Sequence, residues 1–230
     1  MALNWPQPGD AVDLGRVDEV LDGLANWCEA TALLPDQETR QRLQRQVTAV
    51  REKREQLLSP LLIAIIGGTG VGKSSLLNAL AGGPIAAASA RRPTTQQVTV
   101  YLHEDNLLAL EPGEWAAAQV RHQRAELLDR ILIDTPDYDS VDLSHRRRMQ
   151  TVLALADVVI FVTTREKYAD LAGAEWLRQY REGRLFLFVL NRADEGVPPE
   201  VVPDLRRHLA ELGFAGAEPL VLSATAALAA

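Results

Sequence analysis

The densest chemistry in the sequence lies at Gly67-Gly68-Thr69-Gly70-Val71-Gly72-Lys73-Ser74, directly after the apolar run Leu61–Ile66 and directly before a helical stretch. Glycines at this spacing let the backbone wrap so that successive N–H groups point inward at an anion. The helix start adds unpaired donors and the positive end of its dipole. Lys73 supplies a mobile charge for the β- and γ-phosphates of a nucleotide, and the Ser74 hydroxyl is a ligand for Mg²⁺. Gly67, Gly70, Val71, Gly72, Lys73, Ser74 and Ser75 are therefore the candidate phosphate contacts. This loop specifies a nucleoside triphosphate and leaves the base open.

About 60 residues on, Arg130-Ile131-Leu132-Ile133-Asp134 ends an apolar run in a carboxylate, followed by Thr135-Pro136-Asp137. At the C-terminal edge of a parallel sheet, where ligands bind, Asp134 is placed to hold a water of the Mg²⁺ shell. The base is read later, at Asn191-Arg192-Ala193-Asp194, after the buried run Phe186–Leu190. The Asp194 carboxylate accepts from the ring N–H and the exocyclic amine of guanine. Adenine offers an acceptor at the matching ring position and would leave buried groups unpaired, at about 1–3 kcal/mol each. Arg192 would lay its stem along the base, and the backbone of Ser223-Ala224-Thr225 would donate to the guanine carbonyl. Cofactor expectations are thus GTP or GDP with Mg²⁺.

These residues need strands that end at one edge. Short apolar runs at Leu61–Ile66, Arg130–Asp134, Asp157–Thr163, Leu185–Asn191 and Pro219–Ser223 read as strands buried on both faces. Helical spacing falls between them, near Ser74–Ala81, Ser144–Ala156, Ala172–Tyr180 and Pro199–Leu212. The alternation predicts an α/β fold: a three-layer αβα sandwich of the P-loop NTPase type with a mostly parallel sheet. Val98–Leu102 reads as an extra strand, and Asn106–Arg130 as an irregular insert without a place in the pattern. Ahead of the sheet, Val12–Thr31 and Gln37–Leu58 read as two helices. The expected organisation is an N-terminal helical extension over residues 1–59 and a nucleotide-binding domain over 60–230.

The 230 residues carry a net charge of −7, and 47% are hydrophobic. An acidic chain of this kind is a poor candidate for broad nucleic-acid binding, which calls for a basic face. The single cysteine, Cys28, excludes an internal disulfide and reads as a small buried hydrophobe. No apolar run approaches the roughly 20 residues of a membrane span. The start lacks the charged and apolar regions of a secretory signal, so the expected location is cytoplasmic.

Taken together, residues Leu61 to Thr225 resemble the translation-factor-class P-loop GTPases, the Ras-like fold shared by ribosome-assembly and dynamin-like proteins. In that resemblance Gly67–Ser74 is the first motif, Asp134-Thr135-Pro136 the third, Asn191–Asp194 the fourth and Ser223–Thr225 the fifth. The second motif is one threonine that ligates Mg²⁺ and senses the γ-phosphate. Arg91-Arg92-Pro93-Thr94-Thr95 is similar to it, with Thr95 favoured over Thr94. The resemblance implies a GTPase switch, with Lys73 and Thr95 as catalytic residues and Ser74, Thr95 and Asp134 around the metal. It implies as partners a guanine nucleotide, an unnamed protein effector and nucleotide-dependent self-association. Membrane or ribosome contact would come only through partners or downstream regions. The chain stops at Ala230, where the family begins its last helix, so a truncated last helix and a longer parent protein are expected.

Three positions depart from the family pattern. Asp137 stands where a Gly N–H would meet the γ-phosphate, and its side chain is expected to turn away from the phosphate. Tyr138 replaces the water-orienting Gln, so intrinsic hydrolysis is expected to be slow. Arg192 replaces Lys. Gly70 stands where potassium-assisted relatives carry Asn. Arg91, Arg92 and Arg146–Arg148 are candidate partner contacts or a solvated helix face, and His145 is expected on the surface. Three classes of function are open to such a chain: a slow GTPase switch, a nucleotide-dependent binding module with negligible turnover, and an ATPase or kinase on the same loop. Within the first, a dynamin-like membrane-associated protein competes with a ribosome-assembly factor. The helical lead-in and acidic balance lean toward the former.

Overall fold

The computed structural model describes residues 14–30, 37–85, 98–106, 118–140, 142–169 and 177–229. The chain divides into two compact units, Met1–Ser59 and Pro60–Ala230. In the first, α1 (Leu14–Ala30) and α2 (Gln37–Leu58) form a helical pair. Their apolar seam brings Leu21, Leu24 and Trp27 against Leu43, Val47 and Val50, and Arg51 donates to Asp22 at 2.5 Å. Leu21 is buried, while Trp27 and Val50 stay about half exposed. The narrow apolar stripe of α2, set among many charges, accounts for this partial burial.

The second unit is built on seven strands, in the order β3-β2-β4-β1-β5-β6-β7. These are β1 (Leu61–Gly67), β2 (Thr99–His103), β3 (Ala118–His122), β4 (Arg130–Asp134), β5 (Val158–Thr163), β6 (Leu185–Leu190) and β7 (Leu220–Val221). Each expected strand forms, but the last is only the two residues of β7, both about half exposed and not buried on both faces as expected. The insert expected to be irregular supplies β3, which pairs parallel to β2 at the sheet edge. Its alternation of charged and small residues, Ala-Gln-Val-Arg-His, hides a strand that is covered on one face only. β2 runs antiparallel to β4, and the other neighbouring strands run parallel.

Alternate residues of each strand face opposite layers. Ala64 and Ile66 of β1, with Ile131, Ile133, Val159, Phe161 and Phe188, pack against α4 (Leu143–Leu155) and α5 (Val201–Glu211). Ile65, Leu132, Ile160 and Val162 face α3 (Lys73–Ala81) and the first residue of α6 (Ala224–Ala229). Two helical layers on a mostly parallel sheet make the αβα sandwich. Ile65 and Ile66 are both fully buried, on opposite faces, and each such side chain contributes about 1.5–3 kcal/mol. The expected helix at Ala172–Tyr180 appears as a short 3₁₀ turn at 177–180, its earlier part lying outside the described residues. Among the described residues no helix is long and apolar enough to cross a membrane.

The chain leaves β1 toward β2, β3 and β4 on one side of it, then crosses from β4 to β5 on the other, so the direction of winding reverses at β1. The crevice at the C-terminal ends of these strands is the ligand position of such sheets.

Candidate nucleotide-binding site

Gly67 closes β1 against β5. A Cβ there would stand 2.5 Å from the Val162 carbonyl and 2.8 Å from Val71 Cγ2, so the loop can leave the strand at this height only with glycine. Gly72 opens α3 with φ of 93°, a conformation that glycine adopts without strain. Its Cβ position is blocked by the Asn191 side-chain amide. The Gly72 carbonyl then accepts from Leu76 N at 2.9 Å, the first turn of the helix.

Lys73 is buried, with 5% of its surface exposed. Its Nζ donates to the carbonyls of Gly67 and Gly68, each at 3.1 Å, and pairs with Asp137 Oδ1. The expected turn of Asp137 away from the phosphate position is reversed in the structure. The carboxylate lies on the phosphate-binding lysine because a buried ammonium needs an anionic partner, and Asp137 is within reach.

Ser74 Oγ donates to Asp134 Oδ2 at 2.7 Å. Burial pushes the Asp134 carboxyl up to about 6, against the Ser74 hydrogen bond and the Lys73 charge, which lower it. Its second oxygen, Oδ1, is buried with no hydrogen-bond partner among the described residues. An acceptor-only oxygen left unpaired beside a serine hydroxyl suits the water shell of a divalent cation, so Ser74 and Asp134 fit Mg²⁺. Thr135 fixes the height of this pair: its amide and hydroxyl both donate to the Ile65 carbonyl, at 3.2 and 2.9 Å.

Beyond Asp137 the chain crosses the mouth of the loop. Tyr138 stacks on Phe161, with ring centroids 5.9 Å apart, and packs against the core. Asp139 accepts from Thr69 N at 2.9 and 3.0 Å, and from Thr69 Oγ1 at 2.8 Å. Burial alone would raise the Asp139 carboxyl, but the Thr69 hydrogen bonds and the Lys167 charge bring it below its usual value. Lys167 Nζ donates to Thr69 O at 2.7 Å and lies 3.7 Å from Asp139 Oδ2. Thr69 and Thr135 stand in motifs the sequence names without a contact assigned to either, and Asp139 and Lys167 are site residues that the sequence reading does not include. The available signals are a second acidic residue in Asp137-Tyr138-Asp139, and a lysine just past the end of β5.

On the other side of the loop, Asn191 is buried and acts as a brace. Its Nδ2 donates to Val71 O at 2.9 Å, and its Oδ1 accepts from Ala224 N at 3.0 Å. It thereby ties the phosphate loop to the turns after β6 and β7. The Ala224 amide, expected to face a base carbonyl, is given to Asn191. Arg192 has φ of 63°, and its Nη2 donates to Gly70 O at 2.6 Å. Its stem therefore spans from the strand end to the loop. Asp194 is exposed, and Ser223 Oγ accepts from Ala226 N at 3.1 Å. His145 is less exposed than expected: its Nδ1 lies 3.0 Å from Ser140 Oγ, which fixes the turn before α4. Arg146 and Arg147 are exposed. Ser75 lies in the first turn of α3 and is partly buried. Arg91, Arg92, Thr94 and Thr95 lie outside the described residues.

The phosphate loop and the loop after β6 thus converge on one sheet edge. The family of 50S ribosome-binding GTPases matches residues 62–192, more than half of the chain. The chain belongs to this GTPase family. It is 29% identical to GTPase Der of Prochlorococcus marinus over 199 residues, covering 84% of this chain and 36% of that one. It is 34% identical to the tRNA modification GTPase MnmE of Halorhodospira halophila over 109 residues, 47% of this chain and 20% of that one. The chain thus spans about a fifth to a third of these relatives. A chain of an oligomerised bacterial dynamin pair, described as sensing and tethering membranes, covers 96% of this chain at TM-score 0.58 and 17% identity, spanning 40% of that protein. That likeness is one of fold. Family membership makes the second unit a GTP-binding G domain.

Proposed function

We propose that this G domain is a molecular switch that binds GTP with Mg²⁺ and hydrolyses it to GDP at a low intrinsic rate. The observation carrying the slow rate is Tyr138. At the position expected to orient the attacking water, its ring is stacked into the core on Phe161. The loop amides and Lys73 bind and align the triphosphate, and positioning supplies most of the catalysis in phosphoryl transfer. Ser74 and Asp134, with Thr95, would hold Mg²⁺, which supplies charge neutralisation on the phosphate oxygens. Asp194 and Arg192 select and cover the guanine, while Asn191 holds their loop against Val71. Arrival or loss of the γ-phosphate changes the contacts of the segment after Asp134, and a partner reads that change.

Phosphate release from GTP by the purified chain tests this. A slow, GTP-specific rate that ATP does not compete with is expected. Absence of release at every protein concentration would leave the second reading, a binding module without turnover. Asp137 favours that alternative, because it competes for the lysine that serves the transferred group. The change Asp194→Asn should move base preference from guanine toward xanthine, and unaffected GTP binding would refute the base assignment. For the biological setting, the helical pair ahead of the G domain supports a dynamin-like protein that associates with membranes through partners or further segments. Rising turnover at high protein concentration would support self-association.

A further inference from the structure

The acidic segment over the phosphate loop bears on which nucleotide the site prefers, and its role here rests on the reading of that site as a guanine-nucleotide switch. A phosphate loop offers its ligand two kinds of donor, the lysine ammonium and the backbone amides. Here both are in use by carboxylates of one short segment. Asp137 pairs with Lys73 Nζ, with side-chain exposures of 13% and 4%. Asp139 takes the Thr69 amide with both oxygens and the Thr69 hydroxyl with one. A carboxylate and a phosphate oxygen demand the same donors at the same distances. They cannot share Lys73 Nζ and Thr69 N, and their charges repel, most strongly at Asp137, where the pair with Lys73 is little exposed to water.

The two carboxylates do not fill the loop evenly. Thr69 lies three residues ahead of Gly72, where α3 begins. The helix-end donors at Gly72–Ser74 form the inner anion site, and Lys73 reaches from there to the Gly67 and Gly68 carbonyls at the start of the loop. Asp137 and Asp139 therefore occupy the outer end, the place of the last phosphate of a triphosphate. We propose that Asp137 and Asp139 are specificity-determining residues, an internal anionic plug that lets GDP bind beside it and makes GTP eject it. Arrival of the γ-phosphate is then coupled to displacement of residues 137–139, through charge competition at the place where relatives use a glycine N–H.

The test is equilibrium binding of GDP and of a non-hydrolysable GTP analogue with Mg²⁺ to the full chain. It compares the natural protein with D139N and D137N/D139N. The natural protein should prefer GDP. In the double variant the affinity for the GTP analogue should rise at least about tenfold, while that for GDP changes less than about threefold. D139N alone should move the ratio in the same direction, by about threefold. Far-UV circular dichroism identifies the folded variants, and if the double variant does not fold, D139N carries the test. Guanine nucleotide binding with an unchanged GTP-to-GDP ratio in folded variants overturns the plug and leaves the site intact. Failure of every protein, the natural one included, to bind guanine nucleotide overturns the site reading and the plug with it.

Discussion

The two ends of the nucleotide groove are built differently. At the phosphate end three carboxylates are held by partners within the chain: Lys73 holds Asp137, Ser74 holds Asp134, and Thr69 and Lys167 hold Asp139. At the base end a buried neutral amide does the bracing, and the ion pairs there, Arg192 and Arg165 with Glu195, are exposed. Asn191 braces two turns, while Asp194, the group proposed to read the base, stands open to solvent. The phosphate end satisfies its buried charges from within the chain, because leaving them bare would cost several kcal/mol per ion. The base end has no such cost, so its recognition group can wait unpaired. Ligand entry must then break interactions at one end and only add them at the other.

Changes at Lys73 should be the most damaging. Lys73→Met removes the cation from the phosphate end and leaves the base end untouched. Affinity for GTP should fall about a hundredfold or more, measured by calorimetry, with guanine still preferred over adenine. A variant that loses the base preference as well would mean that the two ends are not separable.

Asp134 tests the cost of burying charge. Its folded value of about 6 exceeds the ordinary 3.8 of an aspartate, so the folded protein binds the extra proton. The stability this contributes is fully present below pH 4 and is lost as pH rises through 6. Asp134→Asn cannot titrate. Without nucleotide or metal, its stability relative to the natural protein should therefore improve by about 2–3 kcal/mol between pH 4 and pH 7. Urea unfolding at both values checks this, and a flat difference would place Asp134 in a wetter site.

Asn191→Ala removes the brace between the ends. It orphans the Val71 carbonyl and the Ala224 amide and should cost about 2 kcal/mol of stability. Base selectivity should weaken along with it, since Arg192 and Asp194 follow Asn191 directly. Selectivity that survives the stability loss would show the base loop to be held by its own turns.

The strands and motif positions are legible in the sequence for a physical reason. Buried parallel strands are short apolar runs, and each of these site residues stands directly at the end of one: Gly67 closing β1, Asp134 closing β4, Asn191 after β6. The half-covered edge strand β3 lacks that signature and passes for loop. Who holds whom is also hidden. Asn191 looks like a base contact and is a brace, because its bonds run to Val71 and Ala224, far away in the sequence. The turn of Asp137 onto Lys73 follows from the desolvation of that lysine, which no local pattern reveals.

The smallest effect bears on the boundary between the two ends and the core. Tyr138→Phe keeps the ring that stacks on Phe161 and removes only the hydroxyl. If the tyrosine is a packing residue, the single-turnover rate of GTP hydrolysis should change by less than about twofold, and stability by less than about 1 kcal/mol. A tenfold loss of rate would mean that the side chain leaves Phe161 when GTP binds and acts on the attacking water, making the segment 137–139 catalytic once displaced. The same comparison in D137N/D139N separates the cases. There the segment is already released, so a hydroxyl with a catalytic role should matter more, and one that only packs should matter as little as before.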